Sequence, residues 1–166
     1  MNIVLLSLPT LTEDMFRQIE ILRASASLPY FSRLVEVEGH KYLDGGCSDS
    51  IPLAASRRMG CGRNVVVLTR DASYRKSPKM TAMAKLVYRK YPAFVRTLEK
   101  RHEMYNAQVA LVDEHEKAGD AFVIRPQRPL TIGRLESDPE KVQQVYDQGR
   151  ADAEAALSRL MAWMNP

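Results

Sequence analysis

Two short apolar runs constrain the fold of this chain more than any other feature. Asn64-Val65-Val66-Val67-Leu68-Thr69 and Ala121-Phe122-Val123-Ile124-Arg125 are unbroken, the first followed by Arg70 and the second closed by Pro126. Runs of this kind read as strands covered on both faces, the setting of a parallel sheet. Parallel neighbours cannot be joined by a tight turn and need a crossover, usually helical. The sequence between the two runs supplies one. A helical pattern covers about 81–91, Pro92 interrupts it, and a long helix then runs to about residue 118, where Gly119 stops it. Strand, helices and strand predict a right-handed crossover in one parallel sheet, and so an α/β fold.

The remaining elements follow from local signals. Thr10 and Glu13 have capping-box spacing for a helix to about residue 25, with Met15, Ile19 and Leu22 as its apolar face and Pro29 beyond its end. Leu34-Val35-Glu36-Val37 and His40-Lys41-Tyr42-Leu43, separated by Glu38-Gly39, predict a β-hairpin with a two-residue loop. Its second strand delivers Asp44. A short helix is expected from Ile51 to Met59, with Pro52 in its first turn and Gly60 as its stop. Asp138-Pro139 opens a last helix to about residue 164, with Asp138 as its cap. Along it Val142, Val145, Ala153, Ala156, Leu157, Leu160 and Trp163 recur at helical spacing and read as core.

The N-terminal Ile3-Val4-Leu5-Leu6-Ser7-Leu8 run reads as a buried strand or the start of a fragment. It falls far short of the roughly 20 residues that span a bilayer. It has no basic leader or small-residue cleavage site, so a signal peptide is not expected. No repeat, low-complexity stretch or flexible linker divides the chain, and residues 1–166 are read as a single domain. Hydrophobic residues make up 45% and charged residues 27%, which suits a soluble globular protein. The only cysteines, Cys47 and Cys61, form no Cys-x-x-Cys pair and have no histidine at zinc-finger spacing. No disulfide framework, metal or cofactor is expected, and a reduced cytoplasmic setting is the default.

Candidate chemistry centres on Tyr42-Leu43-Asp44-Gly45-Gly46-Cys47-Ser48-Asp49-Ser50-Ile51-Pro52. A carboxylate at a strand end, with backbone free to turn behind it, is one way a catalytic acid or base is presented. Asp-Gly is equally a common turn pair. The flanking text carries further information. Arg23-Ala24-Ser25-Ala26-Ser27-Leu28-Pro29, the hairpin, Leu43-Asp44-Gly45-Gly46 and Asp49-Ser50-Ile51-Pro52 follow in order. Val65-Val66-Val67-Leu68-Thr69-Arg70, Tyr74-Arg75-Lys76, Tyr88-Arg89-Lys90-Tyr91-Pro92 and Phe122-Val123-Ile124-Arg125-Pro126 lie downstream. From about Asp14 onward the chain resembles the C-terminal half of bacterial patatin-like phospholipases.

That resemblance implies part of a three-layer α/β/α sandwich and a Ser–Asp dyad that hydrolyses lipid acyl esters. Asp44 would be the dyad aspartate, activating a serine hydroxyl with no histidine between them. Gly45 and Gly46 would let the backbone turn there. The family's Gly-x-Ser-x-Gly elbow occurs nowhere in the 166 residues. Gly46-Cys47-Ser48-Asp49-Ser50 lacks the closing glycine and lies on the wrong side of the aspartate. The nucleophile and the glycine-rich oxyanion loop are therefore expected outside this sequence, and the isolated chain is expected to be at most weakly active.

Other groups read as structural. Ser25 and Ser27 suit a helix end before Pro29. Glu99-x-x-His102 has no second copy, and His115 falls on another face of the same helix, so no shared metal is expected. From Arg57 to Arg101 the chain has Arg57, Arg58, Arg63, Arg70, Arg75, Lys76, Lys79, Lys85, Arg89, Lys90, Arg96, Lys100 and Arg101, opposed only by Asp71 and Glu99. Tyr74, Tyr88, Tyr91 and Phe94 are interleaved. Such a segment suits a solvated face or an anionic partner. With the resemblance, the expected partners are a lipid or acyl-ester substrate and peripheral contact with an anionic membrane. The alternative function is a non-catalytic module binding anionic lipid surfaces or other polyanions. No nucleic-acid-binding motif occurs. A sheet edge left open would favour a homo-oligomer.

Overall fold

The computed structural model describes residues 14–78, 81–133 and 136–165. The chain has an α/β fold made of two compact units. The first unit holds the described residues up to Pro52 together with Lys76–Gln108; the second holds Leu53–Arg75 and residues 109–165.

In the first unit, α1 (Asp14–Ser25) leads into a hairpin of β1 (Val35–Val37) and β2 (His40–Tyr42). The hairpin has the expected register, with Val35 opposite Tyr42 and Val37 opposite His40. Its two loop residues, Glu38 and Gly39, both have positive φ, at 51° and 75°. That is the type I′ geometry whose twist matches the strands, and it explains Gly39. The expected cap at residues 10–13, the apolar run at 3–8 and the Met15 side chain lie outside the described residues. The expected apolar face of α1 is corrected: Ile19 and Leu22 are exposed, and Ala24 is the buried residue of this helix. The helix buries only its C-terminal end, where it packs on β1 and on the turn after Asp44.

The core of this unit forms where α3 (Ala82–Val87) meets the first turns of α4 (Pro92–Ala118). Ala84, Tyr88 and Val95 are buried, and Leu43, Tyr91, Phe94 and Leu98 pack around them. Tyr88 meets Phe94 edge-on at 4.9 Å between ring centroids and lies 5.5 Å from Tyr30. Its hydroxyl oxygen accepts the Tyr30 backbone N–H at 2.8 Å.

Lys85 and Glu99 staple α3 to α4 at 3.1 Å, and the Thr81 hydroxyl donates to the same carboxylate oxygen. The hydrogen bond from Lys85 is the main reason that the Glu99 carboxyl is held below its usual range, against an opposing effect of desolvation. A group whose folded pKa is lowered contributes stability above its unfolded value and loses it as pH falls through the folded value. Glu99→Gln is therefore expected to lower the urea midpoint near pH 7. The gap to wild type should close as the pH falls through the lowered folded value of this carboxyl. A gap that persists in acid would assign the loss to packing.

In the second unit, β3 (Asn64–Val67) pairs in parallel with β4 (Ala121–Ile124), Asn64 opposite Ala121 and Val67 opposite Ile124. The parallel pairing matches the sequence expectation. The expected burial of β3 on both faces is corrected: Val65 and Val67 are 45% and 68% exposed. Among the described residues β3 has one sheet neighbour, and α2 (Leu53–Arg58) packs against it. One face is thus left in water.

The last helix, α5 (Pro139–Met164), starts as expected, with Asp138 accepting the Glu140 N–H at 3.0 Å. Its apolar stripe is corrected as well. Ala156 is buried, but Val142, Ala153 and Leu157 are exposed. α5 packs on β4, a four-residue strand that covers only part of the length of this 26-residue helix. Its C-terminus is held by Trp163, whose indole N–H donates to the Gly119 carbonyl at 2.8 Å while the Arg63 guanidinium lies 3.9 Å from its ring centroid.

Candidate functional site

Asp44 leaves β2 at the edge of the Tyr88 core. Leu43, one residue earlier, packs into that core and fixes where the strand ends. The Asp44 N–H donates to the Ser27 carbonyl at 2.8 Å. Ser27 is itself buried, and its hydroxyl donates to the Arg23 carbonyl at 2.7 Å. The Arg23–Pro29 text and the Asp-Gly-Gly text, far apart in sequence, are therefore joined by a backbone hydrogen bond. Ser27 has the helix-end role expected of it.

Asp44 then caps a short 3₁₀ turn, Gly45–Cys47, with Oδ1 accepting the Gly46 N–H at 2.7 Å. The carboxylate is half-buried. Its other oxygen, Oδ2, takes no hydrogen bond among the described residues, so one oxygen is pinned while the second stays available to a proton donor. Neither Gly45 nor Gly46 has positive φ. What Gly46 supplies is space: a Cβ there would lie 3.0 Å from Asp44 Oδ1 and 3.5 Å from Arg101 Nη2. A side chain at 46 would push against the carboxylate that the turn holds.

The outer side of the turn is gripped from α4. The Gly46 carbonyl accepts Arg101 Nε at 2.7 Å and the Ser50 hydroxyl at 2.7 Å. Gln108 donates through Nε2 to Asp49 Oδ1, and its Oε1 accepts the Ile51 N–H at 3.0 Å. Sequence reasoning missed Arg101 and Gln108. Arg101 entered it only as one member of a basic run.

The other sequence candidates are engaged locally. His102 Nδ1 lies 3.1 Å from the Glu99 carbonyl of its own helix, and Glu99 is taken by Lys85 and Thr81. His115 meets Asp120 at 2.9 Å. Among the described residues no three His, Cys, Asp or Glu side chains converge as a metal site would require. The basic run is partly consumed: Arg57 pairs with Asp120 at 3.0 Å, Lys76 sits 4.4 Å from the Tyr105 ring centroid, and Arg70 sits 4.9 Å from that of Tyr74. Lys79 lies outside the described residues. A pocket of about 90 Å³ opens beside Leu43, lined by Leu34, Lys41, Tyr91 and Phe94. That is too small for a lipid acyl chain, since ligand pockets typically span about 300–1,000 Å³.

Comparison with known proteins divides the chain. Residues 5–56, which include Asp44, match the patatin-like phospholipase family. Residues 91–165, which include Arg101 and Gln108, match a domain of unknown function, DUF6363. Over 52 residues the chain is 44% identical to the uncharacterized protein YjjU of Escherichia coli K12. That alignment takes in 31% of this chain and spans 15% of the length of YjjU.

Proposed function

We propose that this chain supplies the aspartate-bearing, C-terminal segment of a patatin-like serine acyl hydrolase acting on lipid esters, with residues 1–166 serving as one domain of it. Asp44 is the base of the dyad. Its Oδ2 takes the proton of a serine hydroxyl as that oxygen attacks the ester carbonyl. The proton then passes to the departing alkoxide, leaving an acyl-serine that water cleaves in the same way. The observation that carries the reading is the half-engaged carboxylate. Oδ1 is fixed by Gly46 N–H at 2.7 Å while Oδ2 has no partner among the described residues, within the stretch that matches the family. The serine and the oxyanion donors come from residues outside this sequence. The test is hydrolysis of a short-chain p-nitrophenyl ester by this chain alone and by this chain joined to a Gly-x-Ser-x-Gly-bearing segment of a patatin-like protein. Turnover is expected only from the joined protein, and turnover that survives Asp44→Asn there would sink the reading.

A second reading, binding to an anionic membrane surface, is favoured by α3. Its buried stripe is Ala84 with Tyr88. Its other stripe, Met83, Leu86 and Val87, is 63%, 72% and 53% exposed. Exposed Arg89, Lys90, Arg96 and Lys100 follow in sequence, of which Arg96 also acts electrostatically on the Glu99 carboxylate. Apolar side chains bordered by cations suit the headgroup region of anionic lipid, where each cation near the surface strengthens binding by about 1 kcal/mol. No described helix is long and apolar enough to cross a membrane. Phosphatidylglycerol-containing vesicles should therefore co-sediment this chain, and phosphatidylcholine vesicles should not. Arg89→Ala with Lys90→Ala should weaken that binding by about 30-fold. If Leu86→Ser changes the oligomeric state instead and leaves vesicle binding intact, the stripe is a self-association face.

A further inference from the structure

We infer that Arg101 and Gln108 are positioning residues for Asp44, and that the stretch of unknown function serves, through α4, as the rigid support of the aspartate turn. The inference rests on Asp44 being the base. The two residues are seven apart on α4, which is close to two helical turns, so they lie on one stripe of that helix. The stripe grips the 45–51 loop at two points. At the first, Arg101 Nε donates to the Gly46 carbonyl at 2.7 Å, and the N–H of that same residue holds Asp44 Oδ1 at 2.7 Å. The carboxylate is thus tied to a residue that is itself tied to α4. At the second, the Gln108 amide uses both ends, donating to Asp49 Oδ1 and accepting from Ile51 N. A two-sided amide contact fixes direction as well as distance. All of these residues belong to the first compact unit.

The geometry also explains why a charged donor stands at 101. The Gly46 carbonyl already accepts the Ser50 hydroxyl, and a second, charge-assisted donor holds it more firmly than a neutral one would. Nη2 of the same guanidinium lies within 3.5 Å of where a Gly46 Cβ would stand, which closes the space on that side of the turn. A base that must meet a serine supplied by other residues needs its turn held in register beforehand. Two anchors on a 27-residue helix provide that register before the serine arrives.

The test is amide exchange by NMR on the chain as it stands, comparing Gly46 with Tyr88, whose N–H is bonded to the Ala84 carbonyl inside the core. Arg101→Leu is expected to raise Gly46 exchange about tenfold or more while Tyr88 stays near wild type. Arg101→Lys is expected to recover part of the protection, and Gln108→Leu to release the Ile51 amide selectively. Unchanged Gly46 exchange in Arg101→Leu overturns the inference. Equal gains at Gly46 and Tyr88 overturn it too, because they assign Arg101 to general stability. If the grip is seen but Asp44→Asn leaves ester turnover intact, the support exists and the assignment of Asp44 as base fails separately.

Discussion

Asp44→Asn in a protein that also carries the nucleophile is expected to cut kcat for ester hydrolysis by about 10²–10⁴-fold, the usual contribution of a positioned general base. The substitution is chosen because it spares the turn. An asparagine keeps an oxygen to accept the Gly46 N–H, and Asn suits the same local backbone bond. It loses the second carboxylate oxygen, the one that would receive the serine proton. Stability and the Gly46 contact should therefore survive while turnover does not. Asp44→Ala removes both functions and is the less informative change. Denaturation midpoints measured beside the rates separate the two effects, and an Asn variant that is stable and still fast would show that another group takes the proton.

Tyr88→Ala is expected to cost about 3–5 kcal/mol of unfolding free energy, the usual range for removing a buried aromatic ring. That is a large share of the 5–15 kcal/mol that holds a typical domain. The ring is 6% exposed and is shared among Phe94, Tyr30 and Leu43. Its loss opens a cavity that these neighbours cannot all fill at once. Tyr88→Phe isolates the hydroxyl, which accepts the Tyr30 N–H where that residue has φ of 72°. Losing that bond should cost about 0.5–1.5 kcal/mol, because Tyr30 is exposed and water can take the partner's place. Urea unfolding followed by tyrosine fluorescence and by circular dichroism checks both values. Because Leu43 packs on the same cluster, the alanine variant should also loosen Asp44, with raised amide exchange from Leu43 through Gly46. A Tyr88→Ala protein as stable as wild type would mean that this cluster is not the core of the unit.

What the sequence determined by itself is mostly local. The Glu38-Gly39 turn set the hairpin register, because two residues in the left-handed region close only one kind of tight loop. The Asp138 cap with Pro139 set the start of α5, and Gly119, at φ of 82°, set the end of α4. The parallel pairing of β3 with β4 was legible for a related reason. Two β-branched runs separated by long helices can share a sheet in few ways. Asp44 stood out because a strand end, an acid and two glycines fall together in a few residues. Tertiary structure alone decided which surfaces are covered. Periodicity shows that a helix or strand has an apolar face, but not whether a partner reaches it. Thus the outer face of β3 stays open, Val142, Ala153 and Leu157 of the α5 stripe meet water, and α1 buries Ala24 instead of Ile19 and Leu22. It also decided what holds Asp44. Arg101 and Gln108 lie more than 50 residues from the atoms they bind, and a polar stripe on a helix looks the same in sequence whether it faces solvent or a loop. Side-chain hydrogen bonds of that range leave no local pattern, because their geometry exists only once the chain has folded.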